Sequence, residues 1–412
     1  MMPKSEIGVW TLYFSVATVL ELMRNGFIRN PMISHFVAAE SEHERNSVVT
    51  ASLALHCIVV AIVSILLLFG AKPLSVFWDA PQLDTLFYVY ILRGIALIPC
   101  YHFEFIQQSQ SNFKAIFFGN AVRLGPLALY TMVVYFLGMH PTLLELAIVQ
   151  LISTIASAFV EYQYVKNIPL FYKSTDFKLV KSLFSFGKYT LGTSISSMII
   201  RSTDSWMIGR MISTVGVALY NPALRISNLV EVPTLAVANL VYPQVNQKMK
   251  ERGNEGIQDV YIKSVSLILA AMLPMVVPLF LLSDFVIEII FGEGYLEASP
   301  ILRVTIFFML IIPFNRQFGT VLDALKRPKL NFYLLVLMGV LNIIFNYFLL
   351  LKMGPIGAAY GTLLSYIIIF IINQIILYRW FGINTFKVFT GVIEWYKMGW
   401  QFFWLQVSKI SR

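Results

Sequence analysis

From Ile7 to Tyr378 the chain is a succession of apolar runs, each about 20 residues long and so about as long as a bilayer's hydrocarbon core is thick at 1.5 Å per residue. That recurrence constrains the fold more than any other feature. In hydrocarbon every backbone N–H and C=O must find its partner within the segment, so the runs are predicted to be membrane-spanning helices and the chain an all-α polytopic bundle. Charged residues make up only 13% of the sequence, against about 25% in ordinary soluble domains.

Turn residues and charges divide the runs into eleven predicted spans, 7–29, 47–69, 83–106, 113–137, 143–165, 188–210, 215–245, 258–282, 298–324, 330–351 and 356–379. Lys and Arg set their direction. One set of connections carries Arg29 and Arg45, Lys114, then Lys166, Lys173, Lys178 and Lys181, then Lys248, Lys250 and Arg252, and finally Lys326, Arg327 and Lys329. The alternate set holds only Lys72, Arg210 and Lys352, and one of its members is acidic through Asp284, Glu288, Glu293 and Glu297. The first set is therefore expected in the cytoplasm, with span one starting outside and the C-terminus inside. The net charge of +9 is spread over these short loops rather than gathered on a soluble domain, which argues against a nucleic-acid partner.

The longest polar connection divides the chain near its middle. It predicts an N-terminal lobe of five spans over 1–165, a basic cytoplasmic linker over 166–187 and a C-terminal lobe of six spans over 188–382. A tail follows over 383–412. Its Phe389, Ile393, Tyr396, Trp400 and Phe403 recur at helical spacing, the pattern of a helix lying on the inner membrane surface. Paired motifs in the two halves suggest parallel repeats of six helices. Among them, Asn112-Phe113 and Asn331-Phe332 open helices, and Met139-His140-Pro141 matches Met353-Gly354-Pro355. An odd count of spans starting outside then predicts that the first repeat lacks one helix, before Met1.

Charges inside the spans need a reason, because a charge at the centre of a spanning helix costs about 2.5–3.5 kcal/mol on the gentler scales. Arg93 and Arg123 lie mid-span without a partner on their own helices. Arg201 and Asp204 are three apart and can neutralise each other. Asn221, Arg225 and Asn228 form a polar stripe that Glu231 continues, and Arg316 lies between Asn315 and Gln317. Arg24 sits in the inner third of span one, where it, like Arg29 and Arg303, is long enough to snorkel to headgroups. Deep arginines sharing an aqueous cavity would repel one another unless an anion arrived, and guanidinium suits phosphate oxygens. Arg24, Arg93, Arg123, Arg201, Arg225 and Arg316, with Asn221 and Asn228, are the candidate substrate-binding residues. Mid-helix Pro99, Pro126, Pro222, Pro233, Pro274, Pro278 and Pro313 fit bent, moving helices.

No nucleophile–base pair, phosphate-cradling glycine loop or paired-carboxylate motif is present, so a carrier is expected rather than an enzyme. Cys57 and Cys100 fall inside apolar runs and suggest no disulfide framework. His102 and Glu104 have a metal-like look but no second ligand pair, and read as a helix-end pair.

The run from Asp204 to Val245 resembles the seventh and eighth helices of Wzx-type polysaccharide flippases of the MOP (multidrug/oligosaccharidyl-lipid/polysaccharide) exporter superfamily. It does so through Asp204, Gly209, Gly216, Tyr220, Ala223, Arg225, Pro233 and Pro243. Phe291, Gly292, Tyr295 and Ala298 resemble a family loop, and Asn342, Asn346, Gly354, Gly357 and Ala358 its late helices. Two places depart from the pattern: Ser205 stands where a basic residue is common, and "RNGFIRNP" replaces an acidic-Gly-Leu segment. The resemblance also implies that the family's first helix is missing, as the span count predicts. The resemblance implies two lobes around a central cavity and a carrier that moves undecaprenyl-diphosphate-linked oligosaccharide from inner to outer leaflet. It needs no cofactor, with Asp204 and Glu231 coupling the cycle to protons or another cation. Its partners would be the lipid-linked oligosaccharide, membrane lipids and polysaccharide-assembly proteins, in a bacterial inner membrane. Other readings are a peptidoglycan-precursor flippase or drug exporter of the same superfamily, and a membrane-embedded polymerase or glycosyltransferase.

Overall fold

The computed structural model describes residues 2–110, 112–165, 202–325 and 327–410, together with Leu179, Val180, Leu183 and Met198. Most of the basic linker and most of span six, Arg201 included, lie outside the described residues. Thirteen α-helices are described, with one 3-10 turn and no strand. Among them and their near neighbours, nine segments are long and apolar enough to cross a membrane. The chain divides into two compact units, Met1–Ser202 with Ser213–Val217, and Thr203–Ile212 with Ala218–Arg412.

In the first unit, α1 (Lys4–Ala38), α2 (Glu42–Phe77), α3 (Gln82–Ser109), α4 (Phe113–Phe136) and α5 (Leu143–Tyr162) follow one another through short connections. Polar side chains start them where the apolar periodicity begins. Ser41 accepts from the Glu44 N–H at 3.2 Å and Asn112 from the Ala115 N–H at 3.3 Å. Thr142 and Glu145 cap α5 reciprocally. The helix α3 packs on all four others and carries the unit's chemistry. Its Leu97, Phe105 and Ile106 join Ile28, Met32 and Leu55 in the core. Outward-facing Ile62, Leu66 and Phe69 of α2 are left exposed, as lipid contact requires.

In the second unit, α6 is described over 202–211, followed by α7 (Thr214–Val230), α8 (Val232–Leu281), α9 (Ser283–Phe291), a 3-10 turn (Glu293–Ala298), α10 (Ser299–Ala324), α11 (Pro328–Met353), α12 (Pro355–Phe381) and α13 (Phe386–Ile410). The expected span 215–245 is interrupted at Glu231, because Pro233 has no N–H to give and its ring crowds the preceding turn. By contrast, α3, α4, α7 and α10 run through Pro99, Pro126, Pro222 and Pro313. Two limbs make up α8, and they meet at Gly253, whose φ of 57° and ψ of −134° suit glycine and few other residues. The core of this unit joins α8, α10, α12 and α13 through Tyr261, Phe314, Phe318, Leu377 and Val388.

One expectation is corrected. Asn112 caps a helix but Asn331 does not: α11 begins at Pro328, and the Asn331 amide donates to Asp323 at 3.1 Å. The tail is helical, and a second, smaller seam docks it on the unit. Val388 and Val392 enter the core, Ser266 donates to the Val388 carbonyl at 2.8 Å, and Tyr396 donates to that of Ala270 at 2.8 Å. Phe389, Ile393 and Trp400 face outward.

Candidate functional site

The first unit buries a network of three guanidinium groups and three carboxylates, donated by four of its helices. Glu21, on α1, accepts from Arg93 at 3.0 Å through one oxygen and from the Tyr101 hydroxyl at 3.0 Å through the other. Arg93 also donates to Thr154 of α5 at 3.4 Å. The Tyr101 ring carries two further cations, Arg24 at 4.8 Å and Arg123 at 4.6 Å from its centroid. Each such contact is worth about 2 kcal/mol when water is excluded. Arg123 pairs with Glu104 at 3.4 Å and donates to Asn120. Glu161 has no exposed surface. One of its oxygens accepts from Ser157 at 3.4 Å, and Cys100 adds a longer contact at 4.0 Å.

The network sets three basic side chains among three acidic ones, but its hydrogen bonds are incomplete. Among the described residues, Nε and Nη2 of Arg24, Nε and Nη1 of Arg123, and one oxygen of Glu161 are buried without a hydrogen-bond partner. A buried polar group left unpaired costs about 1–3 kcal/mol. Here they stand as donors and acceptors held ready inside the unit.

The arginines expected to stand bare are therefore answered by glutamates. Glu21, Glu104 and Glu161 were not among the predicted site residues, since they lie 72, 19 and 38 positions from the arginines they face and no local spacing links them. Nor does Arg24 snorkel: it is buried, and Nη1 reaches only the Gly94 carbonyl, at 3.4 Å. His102 and Glu104 do not form a helix-end pair; Glu104 turns to Arg123, while both ring nitrogens of His102 are buried without a partner among the described residues.

In the second unit Asp204 is buried among neutral donors. Its two oxygens accept from Tyr220 at 2.7 Å, Thr362 at 2.8 Å, Asn346 at 2.7 Å and Asn342 at 3.3 Å. Gly361 permits this approach, because a Cβ there would overlap the Asn346 amide. The predicted Arg201–Asp204 pair lies outside the described residues at Arg201. Arg225 is exposed on α7 and donates to Asn221 at 3.1 Å, with Asn228 exposed beyond it. Glu231 leaves that stripe. It is buried and pairs with Arg316 of α10 at 2.8 Å. Arg303 donates to Ser283 at 2.6 Å and pairs with Asp284 at 2.5 Å.

Solved structures show which fold this is. The chain superposes on an inward-facing multidrug resistance MATE family transporter of the MOP superfamily with a TM-score of 0.78 at 16% identity, over 91% of each chain. It superposes on the lipid II flippase MurJ in its inward closed conformation with a TM-score of 0.74 at 15% identity, over 95% of this chain and 88% of that one. The chain thus shares the fold of these two transporters, and with its long apolar helices it is a multi-pass membrane protein. The profile of the family described as "Polysaccharide biosynthesis protein" matches residues 1–300. The chain belongs to that family.

Three relatives add to this. The probable low-salt glycan biosynthesis flippase Agl15 of Haloferax volcanii is 29% identical over 194 residues, 47% of this chain and 41% of that protein. The teichuronic acid biosynthesis protein TuaB of Bacillus subtilis is 28% identical over 162 residues, 38% of this chain and 32% of that protein. An uncharacterized membrane protein of Methanocaldococcus jannaschii, MJ1068, is 22% identical over 394 residues, 90% of this chain and 76% of that protein. The chain thus spans less than half the length of the two relatives whose names carry a process.

Proposed function

We propose that the protein flips a lipid-linked oligosaccharide, carried on undecaprenyl diphosphate, from the inner to the outer leaflet of the cytoplasmic membrane, for assembly into a surface polysaccharide. Membership of the family and the process named for its relatives support this reading. The observation that carries it is the cluster of Arg24, Arg93 and Arg123 around Tyr101 and Glu21, with donors on two of the three left unfilled. A diphosphate offers several charged acceptors at once, and bidentate guanidinium bonds to phosphate are among the strongest polar contacts a protein makes. In this mechanism Glu21 and Glu104 hold the arginines while cargo is away. Arriving diphosphate takes those donors, and its release on the far side returns them to the glutamates. The lipid tail stays in the bilayer throughout. Helices parting and closing around the site supply access, in the manner of alternating-access carriers.

Coupling is assigned to Asp204 rather than Glu231. Glu231 is already neutralised by Arg316, whereas the described donors to Asp204 are all uncharged. A buried carboxylate whose described partners are all neutral is the better candidate to accept a proton or cation.

The test is glycan display in cells lacking the chromosomal copy. Arg24→Ala, Arg93→Ala and Arg123→Ala, each expressed at the normal level, are expected to lose surface glycan and accumulate lipid-linked oligosaccharide on the inner leaflet. Full display by all three would reject the arginine mechanism. Asp204→Asn is expected to retain binding of cargo while losing its response to a collapsed proton or cation gradient.

A further inference from the structure

A cavity lies within the second unit, where the two limbs of α8 meet. Its volume is about 480 Å3, and its lining includes Lys248, Arg252, Asp259 and Lys263 together with Leu267 and Trp395. The lining is sorted by depth. Lys248 and Arg252 precede the Gly253 turn at the end of the first limb, and Lys263 stands ten residues beyond it, about 15 Å along the second limb. Leu267 lies one helical turn deeper. Trp395 is brought in by α13, which the Ser266–Val388 and Ala270–Tyr396 bonds hold along the same limb.

Charge in the cavity is incompletely cancelled. Lys248 is paired with Glu251 at 2.7 Å, and Arg252 is 3.8 Å from Asp259. Lys263 is exposed and has no acidic partner among the described residues. The lining therefore holds three cations and one carboxylate above an apolar wall. A soluble anion would leave that wall without use, and a neutral apolar ligand would leave the cations without use. An indole beside basic side chains is the arrangement proteins present to the headgroup layer of a membrane.

We propose that this cavity binds the phosphate head of a membrane lipid, the phosphate meeting Lys263 and Arg252 and the first chain carbons lying along Leu267 and Trp395. The site is separate from the arginine network and does not depend on the cargo reading. Its ligand chemistry, a phosphate attached to a lipid, is shared by ordinary anionic phospholipids and by polyprenyl phosphates.

The experiment is native mass spectrometry of the full chain in mixed micelles of phosphatidylcholine and phosphatidylglycerol, with an undecaprenyl phosphate arm run in parallel. The wild type is expected to retain the anionic lipid over phosphatidylcholine. Lys263→Gln is expected to reduce that preference about fivefold, the usual weight of one basic residue at an anionic surface. Lys263→Arg should restore it, and Lys352→Gln should leave it unchanged. Loss of preference in the phosphatidylglycerol arm supports a phospholipid ligand, and loss in the undecaprenyl phosphate arm supports the carrier lipid. Equal retention of both micelle lipids by the wild type, or a preference that survives Lys263→Gln combined with Arg252→Gln, would overturn the site. Lys263 is at the surface, so its substitution leaves folding intact and the result readable.

Discussion

Glu21 accepts from Arg93 and Tyr101 with separate oxygens, so one side chain fixes both the central arginine and the ring on which the other two rest. Removing one partner of a buried ion pair leaves the other charged and unanswered, at about 3–5 kcal/mol. Glu21→Gln is therefore expected to lower the thermal midpoint of the detergent-solubilised protein sharply. The double variant Glu21→Gln with Arg93→Gln should recover much of the loss, because both charges then leave together. Additive losses in that cycle would show that the pair contributes no coupling. The arginines of this network were legible in the sequence, since a charge inside an apolar run stands out. Their glutamates were not. Glu21 reads as part of the polar inner third of span one and Glu161 as the end of span five, and only packing of α1, α3, α4 and α5 brings them to their partners.

Helices were more legible than the faces they bury. Five of the first unit's helices match the predicted spans, because hydrocarbon admits few ways to satisfy a backbone and the caps Ser41, Asn112 and Thr142 mark three starts. The tail shows where such reading ends. Two apolar seams run along α13, one through Val388 and Val392 and one through Phe389, Ile393 and Trp400, and periodicity alone does not say which meets protein. The structure docks the smaller seam, which lets α13 lie close against α8 and leaves the large side chains outward. Val392→Asp is accordingly expected to destabilise the protein by several kcal/mol, since a carboxylate would enter a packed core. The same change at Ile393, one residue on, should cost far less in detergent. Melting curves of the two variants decide it, and equal losses would mean that α13 docks by neither seam.

At the scale of the molecule, the direction of the chain across the membrane follows from where its cations fall. Lys248 and Arg252 lead into the Gly253 turn between the limbs of α8, while Glu293 and Glu297 lie in the 3-10 turn before α10, and the span Glu251–Leu281 separates the two. Because inner-face loops carry an excess of basic residues, we propose that the Gly253 turn lies in the cytoplasm and the 3-10 turn outside. Every directional element of the proposed flipping mechanism depends on that assignment, because the proposed cargo would have to meet the protein from the cytoplasmic side. The assignment is open to a direct check in a background where Cys57 and Cys100 are first replaced by Ser and display of glycan is retained. In intact cells a membrane-impermeant maleimide should label Glu293→Cys and leave Arg252→Cys untouched until the membrane is permeabilised. The opposite pattern would invert the chain and, with it, the side from which the arginine network could receive a diphosphate. Labelling of both in intact cells would place both turns on one face, which a single crossing by the second limb of α8 does not allow.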